Sequence, residues 1–231
     1  LAYRDRSDVL VAGLPRGGVP VAARVARALR APLDIWVVRK IGAPGNEELA
    51  IGAVASGGVV VRNDDVIGLL GISEAEFSAR AAQQQAEVAR RDRLWRGDAA
   101  GPDVNGRTVI VVDDGMATGA TALSAAAALR QSGASTVVVA APVASLEAVR
   151  RLRDAGIPSV FVFAPDDFDA VGKWFVDFRP VEDDCVSLLL HPEGKARPRS
   201  GMGDWKEVLD EPQGIGMLFG HGAGGHPRAP R

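Results

Sequence analysis

At 231 residues with 47% hydrophobic content, the chain is long enough to bury a substantial core, as one large domain or two small ones. A net charge of −2 and a pI near 6.0 give no broad attraction for nucleic acid or an anionic membrane, which leaves small molecules as the expected partners. The single cysteine, Cys185, cannot form an internal disulfide, and no apolar segment reaches membrane length, so a cytoplasmic protein is expected. The chain opens at Leu1 rather than Met, directly before a strand, and further residues, including a helix, are expected upstream of it.

Residues 9–14 read as an apolar strand, which Pro15-Arg16-Gly17-Gly18 turns into a helix over about 19–30, with Pro20 suited to the first turn. Gly17 and Gly18 are expected to expose backbone N–H groups beside cationic Arg16, at a strand's carboxyl end and a helix N-terminus, where anions are held. A tight βα turn alone would need only the glycines. Residues 33–38 form the next strand and end in Arg39-Lys40, followed by Ile41-Gly42-Ala43-Pro44-Gly45-Asn46-Glu47-Glu48. Cations at a strand end ahead of a flexible segment read either as a lid or as a surface loop with a solvated pair. Residues 59–62 are another short apolar strand, and 65–70 a brief helical or extended piece. Ser73 opens a long helix, with Glu76 three residues later as a capping box and Gly97 as its stop. Phe77, Ala81, Val88 and Trp95 form an apolar stripe expected to pack on the sheet or on the second subunit of a homodimer. Arg80, Arg90, Arg91, Arg93 and Arg96 cluster towards the helix end without aromatic interleaving, so no nucleic-acid role is expected of them.

The most informative stretch is 108–121, TVIVVDDGMATGAT. Five β-branched residues, 108–112, suit a central strand buried on both faces of a parallel sheet. Asp113 and Asp114 stand where that strand ends. Gly115 to Thr121 follow as a loop of small residues before an Ala/Leu-rich helix, and such a loop can cradle a phosphate on backbone N–H groups and a helix N-terminus. Carboxylates beside an anion cradle would repel a bare phosphate, so the ligand should offer donors or a metal on one side and a phosphate on the other. A ribose 5-phosphate does both. An ATPase reading would require G-x-x-x-x-G-K-[ST] upstream, and the chain has none.

Hydrophobic strand, acidic pair and Thr-Gly-Ala-Thr loop together resemble the phosphoribosyl pyrophosphate motif of the type I phosphoribosyltransferases. The resemblance covers about residues 1–190. It implies that Asp113 and Asp114 hold the ribose hydroxyls and, directly or through water, Mg²⁺, while Met116, Ala117, Thr118, Gly119, Ala120 and Thr121 receive the 5-phosphate. It further implies that Arg16, Gly17 and Gly18 grip the pyrophosphate, with a cis peptide bond beside Arg16. Arg39 and Lys40 would also contact phosphoribosyl pyrophosphate, and Lys40, Arg16, Asp113 and Asp114 would be catalytic.

Residues 136–141 return as a strand, Ser145 caps a helix to about Ala155, Gly156 ends it, and 159–163 is the last strand. This alternation predicts an α/β fold, a doubly wound and mainly parallel sheet of five or six strands starting at Val9, Leu33, Val59, Thr108, Thr136 and Ser159. Residues 168–178 are the densest aromatic run, and their position resembles the small C-terminal hood of these transferases (about 165–180), so Trp174 and Phe175 are expected to stack on an acceptor; a hydrophobic cap over the sheet edge is the alternative. The last 40 residues hold 9 of the 27 glycines and 5 of the 14 prolines, which puts the domain end near Leu190. Within this tail, 191–231, His221-Gly222-Ala223-Gly224-Gly225 resembles the start of an α/β-hydrolase domain, but no G-x-S-x-G elbow follows. His191, His221 and His226 lack companion metal ligands. The expected activity is Mg²⁺-dependent transfer of 5-phosphoribosyl from phosphoribosyl pyrophosphate to a base or amine, as in nucleoside metabolism. The rival is a non-catalytic regulatory protein that binds the same ligand.

Overall fold

The computed structural model describes residues 2–191, so the Gly/Pro-rich tail and its hydrolase-like segment lie outside the described residues. In chain order the elements are β1 (Val9–Gly13), α1 (Gly18–Leu29), β2 (Leu33–Ile35), β3 (Val38–Ala43), β4 (Asn46–Ala55), β5 (Val60–Arg62), α2 (Asp64–Leu70) and α3 (Glu74–Arg96). They continue with β6 (Thr108–Val112), β7 (Gly115–Met116), α4 (Ala120–Gln131), β8 (Thr136–Ala144), α5 (Leu146–Asp154), β9 (Ser159–Phe163) and α6 (Asp183–Leu190).

β1 and β6 are runs of small and β-branched apolar residues with every position buried, as a strand covered on both faces requires. They pair in parallel from Val9↔Thr108 to Gly13↔Val112, and β6 pairs in parallel with β8 from Thr108↔Thr136 to Val112↔Ala140. β2 extends the sheet beyond β1, while β9 and the two-residue β7 both pair with β8. α4 and α5 cover one face, setting Ala122, Ala125, Leu129, Ala148 and Leu152 into one cluster with Val109, Val111, Val137 and Val139. α1 covers the other with Ala22, Ala26 and Leu29 against Val9, Val11, Ile110 and Val112. The doubly wound, mainly parallel sheet is therefore the one expected. Towards β9 the α1 face opens to solvent, where Val160 and Val162 are 59% and 67% exposed.

Between β2 and α3 the structure departs from the sequence reading. Residues 33–38 are not one strand: β2 stops at Ile35, Trp36 N donates to Gly13 O at 3.0 Å, and Val38 begins a second, antiparallel sheet of order β3-β4-β5. The segment read either as a lid or as a surface loop is the β3–β4 hairpin, with Gly45 at φ 71° in its turn, and the strand starting near Val59 pairs with β4 rather than joining the parallel sheet. A run such as 33–38, apolar but for Asp34, carries no period that says where it changes partner.

α3 starts and stops where expected: Ser73 Oγ accepts from Glu76 N at 3.2 Å, and Gly97 ends it at φ 65°. Its stripe of Phe77, Ala81, Val88 and Trp95 packs within the chain, against Ile41, Ile51 and Val54 of the hairpin and Val186 of α6. α6 was not foreseen. Its eight residues carry Asp183 and Asp184 in the first turn, which favours a helix start, and it buries Cys185 and Val186. Among the described residues no helix is long and apolar enough to cross a membrane.

Candidate active site

Two loops at the carboxyl end of the parallel sheet meet. The first leaves β1 through Leu14, whose N–H donates to Val112 O at 2.8 Å and so ties the loop to the end of β6. The Pro15–Arg16 peptide bond is cis, as the resemblance implied. Gly18 lies so close to β6 that a Cβ there would stand 2.5 Å from Val112 O. Its N–H was expected to face an anion; instead, at the first residue of α1, it donates to Leu14 O of the preceding loop at 3.0 Å. Arg16 is exposed, and its Nη1 lies 3.7 Å from Asp183 Oδ1, which also accepts from Trp95 Nε1 at 3.0 Å.

The second loop leaves β6. Asp113 N donates to Ala140 O at 3.1 Å, and Asp114 N donates to Asp113 Oδ1 at 3.0 Å, which holds the Asp113 carboxylate at the strand end; both residues are half-buried. The Asp113 carboxyl is pushed well above the usual aspartate range, first by loss of water and then by the neighbouring Asp114; burial raises Asp114 too. Met116, expected to touch the ligand, has its side chain 3% exposed in the core, so only its backbone faces the loop. Ala117, Thr118, Ala120 and Thr121 are exposed around Gly119, whose φ of 69° starts α4 with no side-chain cap. Ala120 N donates to Thr118 Oγ1 at 3.4 Å, and the remaining N–H groups at this helix N-terminus can form an anion cradle.

Two residues outside the sequence-derived set brace this cradle. Ser145 Oγ donates to Ala117 O, Ser145 N donates to Met116 O at 2.8 Å, and Arg151 Nη1 donates to Thr118 O at 2.9 Å. Three consecutive carbonyls are thus held by α5 and its start. The signal for Ser145 was its N-cap role, which the sequence does show; nothing local marks Arg151.

The closest approach of the two loops is at Gly17. A Cβ built on Gly17 would stand 1.7 Å from Asp114 Oδ2. Gly17 has φ −59° and ψ −35°, which any residue adopts, so Gly17→Ala introduces only this clash. We expect the carboxylate to be displaced and phosphoribosyl pyrophosphate affinity to fall about 10- to 100-fold, the value of one hydrogen bond to a charged group, with the thermal midpoint little changed. Calorimetric titration beside a melting curve measures both.

The raised aspartates make a stability prediction. A carboxyl whose folded pKa exceeds its unfolded value binds more protons in the folded state between the two, so stability falls as pH rises from the ordinary aspartate range upward. Asp113→Asn removes the ionisation. Its thermal midpoint should exceed the parent's by a margin that widens between about pH 4 and about pH 8. A margin independent of pH would place the effect elsewhere.

The segment Val171–Trp174, within the stretch expected to be a hood, rests on β7, where a Cβ on Gly115 would stand 2.4 Å from Val171 Cγ1. Trp174 and Phe175, expected to stack on an acceptor, already have aromatic neighbours: Trp174 meets Phe163 at 4.8 Å between ring centroids, and Phe175 meets Phe178 at 5.1 Å.

Arg39 and Lys40 lie on β3, pointing to opposite faces as successive strand residues do. Arg39 Nε donates to Gln84 Oε1 of α3 at 2.7 Å. Lys40 pairs across the hairpin with Ala53, which pairs with Val61. Ala53 and Val61 face Leu123, Ser124 and Ala127 of α4 across a cleft. Lys40 therefore shares the face turned towards the helix that begins at the phosphate loop. Its Nζ is paired with Glu48 Oε2 at 2.6 Å.

Comparison with known proteins agrees with this geometry. The phosphoribosyl transferase domain family matches residues 2–167. Two Mycobacterium tuberculosis proteins named "putative phosphoribosyl transferase" are 42% identical over 190 residues, 82% of this chain and 43% of their own length, so the chain spans under half of these relatives. The crystal structure of TT1426 from Thermus thermophilus superposes with a TM-score of 0.73 at 43% identity, covering 80% of this chain and 87% of that one. With the paired strand-end loops, the acidic step and the family match over most of the described residues, the chain belongs to the phosphoribosyl transferase domain family.

Proposed function

We propose that the protein transfers 5-phosphoribosyl from phosphoribosyl pyrophosphate to a nitrogen acceptor. The observation that carries this reading is the contact of Gly17 with Asp114, which sets an anion loop and an acidic step side by side. One ligand then spans both. Its 5-phosphate lies on the N–H groups at Ala117 to Thr121, its 2- and 3-hydroxyls donate to Asp113 and Asp114, and its pyrophosphate lies at Arg16 and Gly17. In the reaction the bond from the anomeric carbon to pyrophosphate oxygen breaks with its electron pair leaving on oxygen, and the acceptor nitrogen forms the new bond and releases its proton. Cations that meet the leaving oxygens lower the barrier because charge grows there.

The donor set also fits Mg²⁺ shared with the ligand. Among the described residues no group of three or more acidic, His or Cys side chains forms a cage, whereas Asp113 and Asp114 supply two oxygen-bearing side chains that a divalent cation would relieve of their mutual repulsion. When bound, the ion would neutralise charge on the pyrophosphate.

A second reading is a regulatory protein that binds phosphoribosyl pyrophosphate without turnover, favoured by the engagement of Trp174 and Phe175 with other rings. Titration with phosphoribosyl pyrophosphate and Mg²⁺, followed by a pyrophosphate-release screen over nucleobases and amines, separates the two. Release with one acceptor class is the expected result. Binding without release for every acceptor identifies the regulator, and absence of binding defeats both.

A further inference from the structure

The hairpin that carries Lys40 is mounted on α3. Besides the Arg39–Gln84 bond, Arg80 Nη1 donates to Gly42 O at 3.3 Å and Gln85 Nε2 to Gly58 O at 3.2 Å. At the end of α3 stands Arg96, 7% exposed, a cation that the chemistry above does not use. Its Nε donates to Asp34 Oδ1 at 2.8 Å, its Nη1 to Asp92 Oδ1 at 2.5 Å, and its Nη2 to Ile35 O. Asp92 Oδ1 also accepts from Ser56 Oγ at 2.9 Å. Ser56 Oγ accepts from Val37 N at 2.9 Å, and Ser56 N donates to Val37 O at 2.9 Å.

This cluster joins the three places where the chain changes course: the end of β2, the entry to β3 and the exit from β4. A guanidinium buried between two carboxylates is a poor source of net stability, because desolvation offsets most of the attraction. What it does supply is fixed geometry, since each guanidinium nitrogen has its own acceptor on a different part of the chain turn. We propose that Arg96, Asp92 and Ser56 are positioning residues that set the angle of the hairpin against the parallel sheet, and with it the reach of Lys40 over α4. The inference rests on the reading that Lys40 meets the pyrophosphate.

The test uses Ser56→Ala, which removes one hydroxyl, with Arg96→Met as a stronger variant. Inorganic pyrophosphate with Mg²⁺ is the probe of the Lys40 end, and ribose 5-phosphate is the probe of the Thr118 end. Ser56→Ala and Lys40→Ala should each weaken pyrophosphate roughly three- to tenfold, and the double variant should lose no more than Lys40→Ala alone, since residues acting through one group are not additive. Ribose 5-phosphate affinity should stay at the parent value in all of them. Unchanged pyrophosphate binding in Ser56→Ala, beside a loss in Lys40→Ala, would overturn the inference and leave the site reading standing. Additive losses, or an equal loss of ribose 5-phosphate, would show a general structural role and overturn it as well. If Lys40→Ala itself binds pyrophosphate as the parent does, the reading of Lys40 is at fault and the inference falls with it.

Discussion

Replacing Asp113 and Asp114 together by Ala should abolish measurable binding of phosphoribosyl pyrophosphate while leaving a better-folded protein. Both residues stand at the end of β6 before any ligand arrives: the Asp113 backbone is held by its N–H on Ala140 O, and the Asp113 carboxylate by the Asp114 N–H on its Oδ1. Little ordering remains to be done on binding. Hydrogen bonds to charged groups contribute roughly 1.5–3 kcal/mol each, so losing the contacts of both side chains should weaken affinity by at least about 100-fold. Turnover should fall with it, because these contacts exist in every bound state. Stability moves the opposite way: both carboxyls are held above their ordinary pKa by burial, so each costs folding free energy near neutral pH, where the unfolded chain leaves it ionised in water. Calorimetric titration and thermal melts at neutral pH give the two signs. Parent-like affinity in the double variant would defeat the site reading outright.

Lys40→Ala should fail differently. The Lys40–Glu48 pair is a surface pair, with Glu48 90% exposed, and such pairs contribute about 0–1 kcal/mol. Glu48 can therefore release the ammonium to a phosphate at little cost, and removal of Lys40 should leave the melting temperature unchanged. The ground-state ligand, whose bridging oxygen is not yet charged, should lose no more than the roughly three- to tenfold expected for free pyrophosphate. If the ammonium meets the pyrophosphate chiefly as charge develops, the loss appears in kcat, on the order of 2–4 kcal/mol as for other preorganised donors. Steady-state kinetics with the acceptor found in the release screen separates kcat from KM. A rise in KM with kcat intact would make Lys40 an ordinary binding residue.

What could be read from the chain alone follows the range of the interactions concerned. The acidic step and the phosphate loop are a continuous stretch, 113–121, so strand, carboxylates and helix start were visible together. Pro15 to Gly18 was visible for the same reason, although only the folded chain shows that Gly18 spends its N–H on Leu14. The hairpin was not visible, since residues 33–38 are apolar but for Asp34 and the change of partner at Val37 is made by Ser56, 19 positions later. Arg151 reaches Thr118 across 33 positions and Arg96 reaches Asp34 across 62, and no local pattern encodes such pairings. Met116 failed for a different reason: a loop residue beside a ligand can still turn its side chain into the core.

The near-contact of Gly17 with Asp114 also constrains how a gene of this kind can drift. Room for the carboxylate exists only because residue 17 lacks a Cβ, so an alanine there is harmful while Asp114 is present and close to harmless once position 114 has shortened. The order in which two such changes arise then matters. A lineage that first loses the acid at 114 can afterwards accept a side chain at 17, but having done so it cannot regain the acid in one step. Loss of this half of the site would work as a ratchet, with glycine at 17 marking chains that can still return.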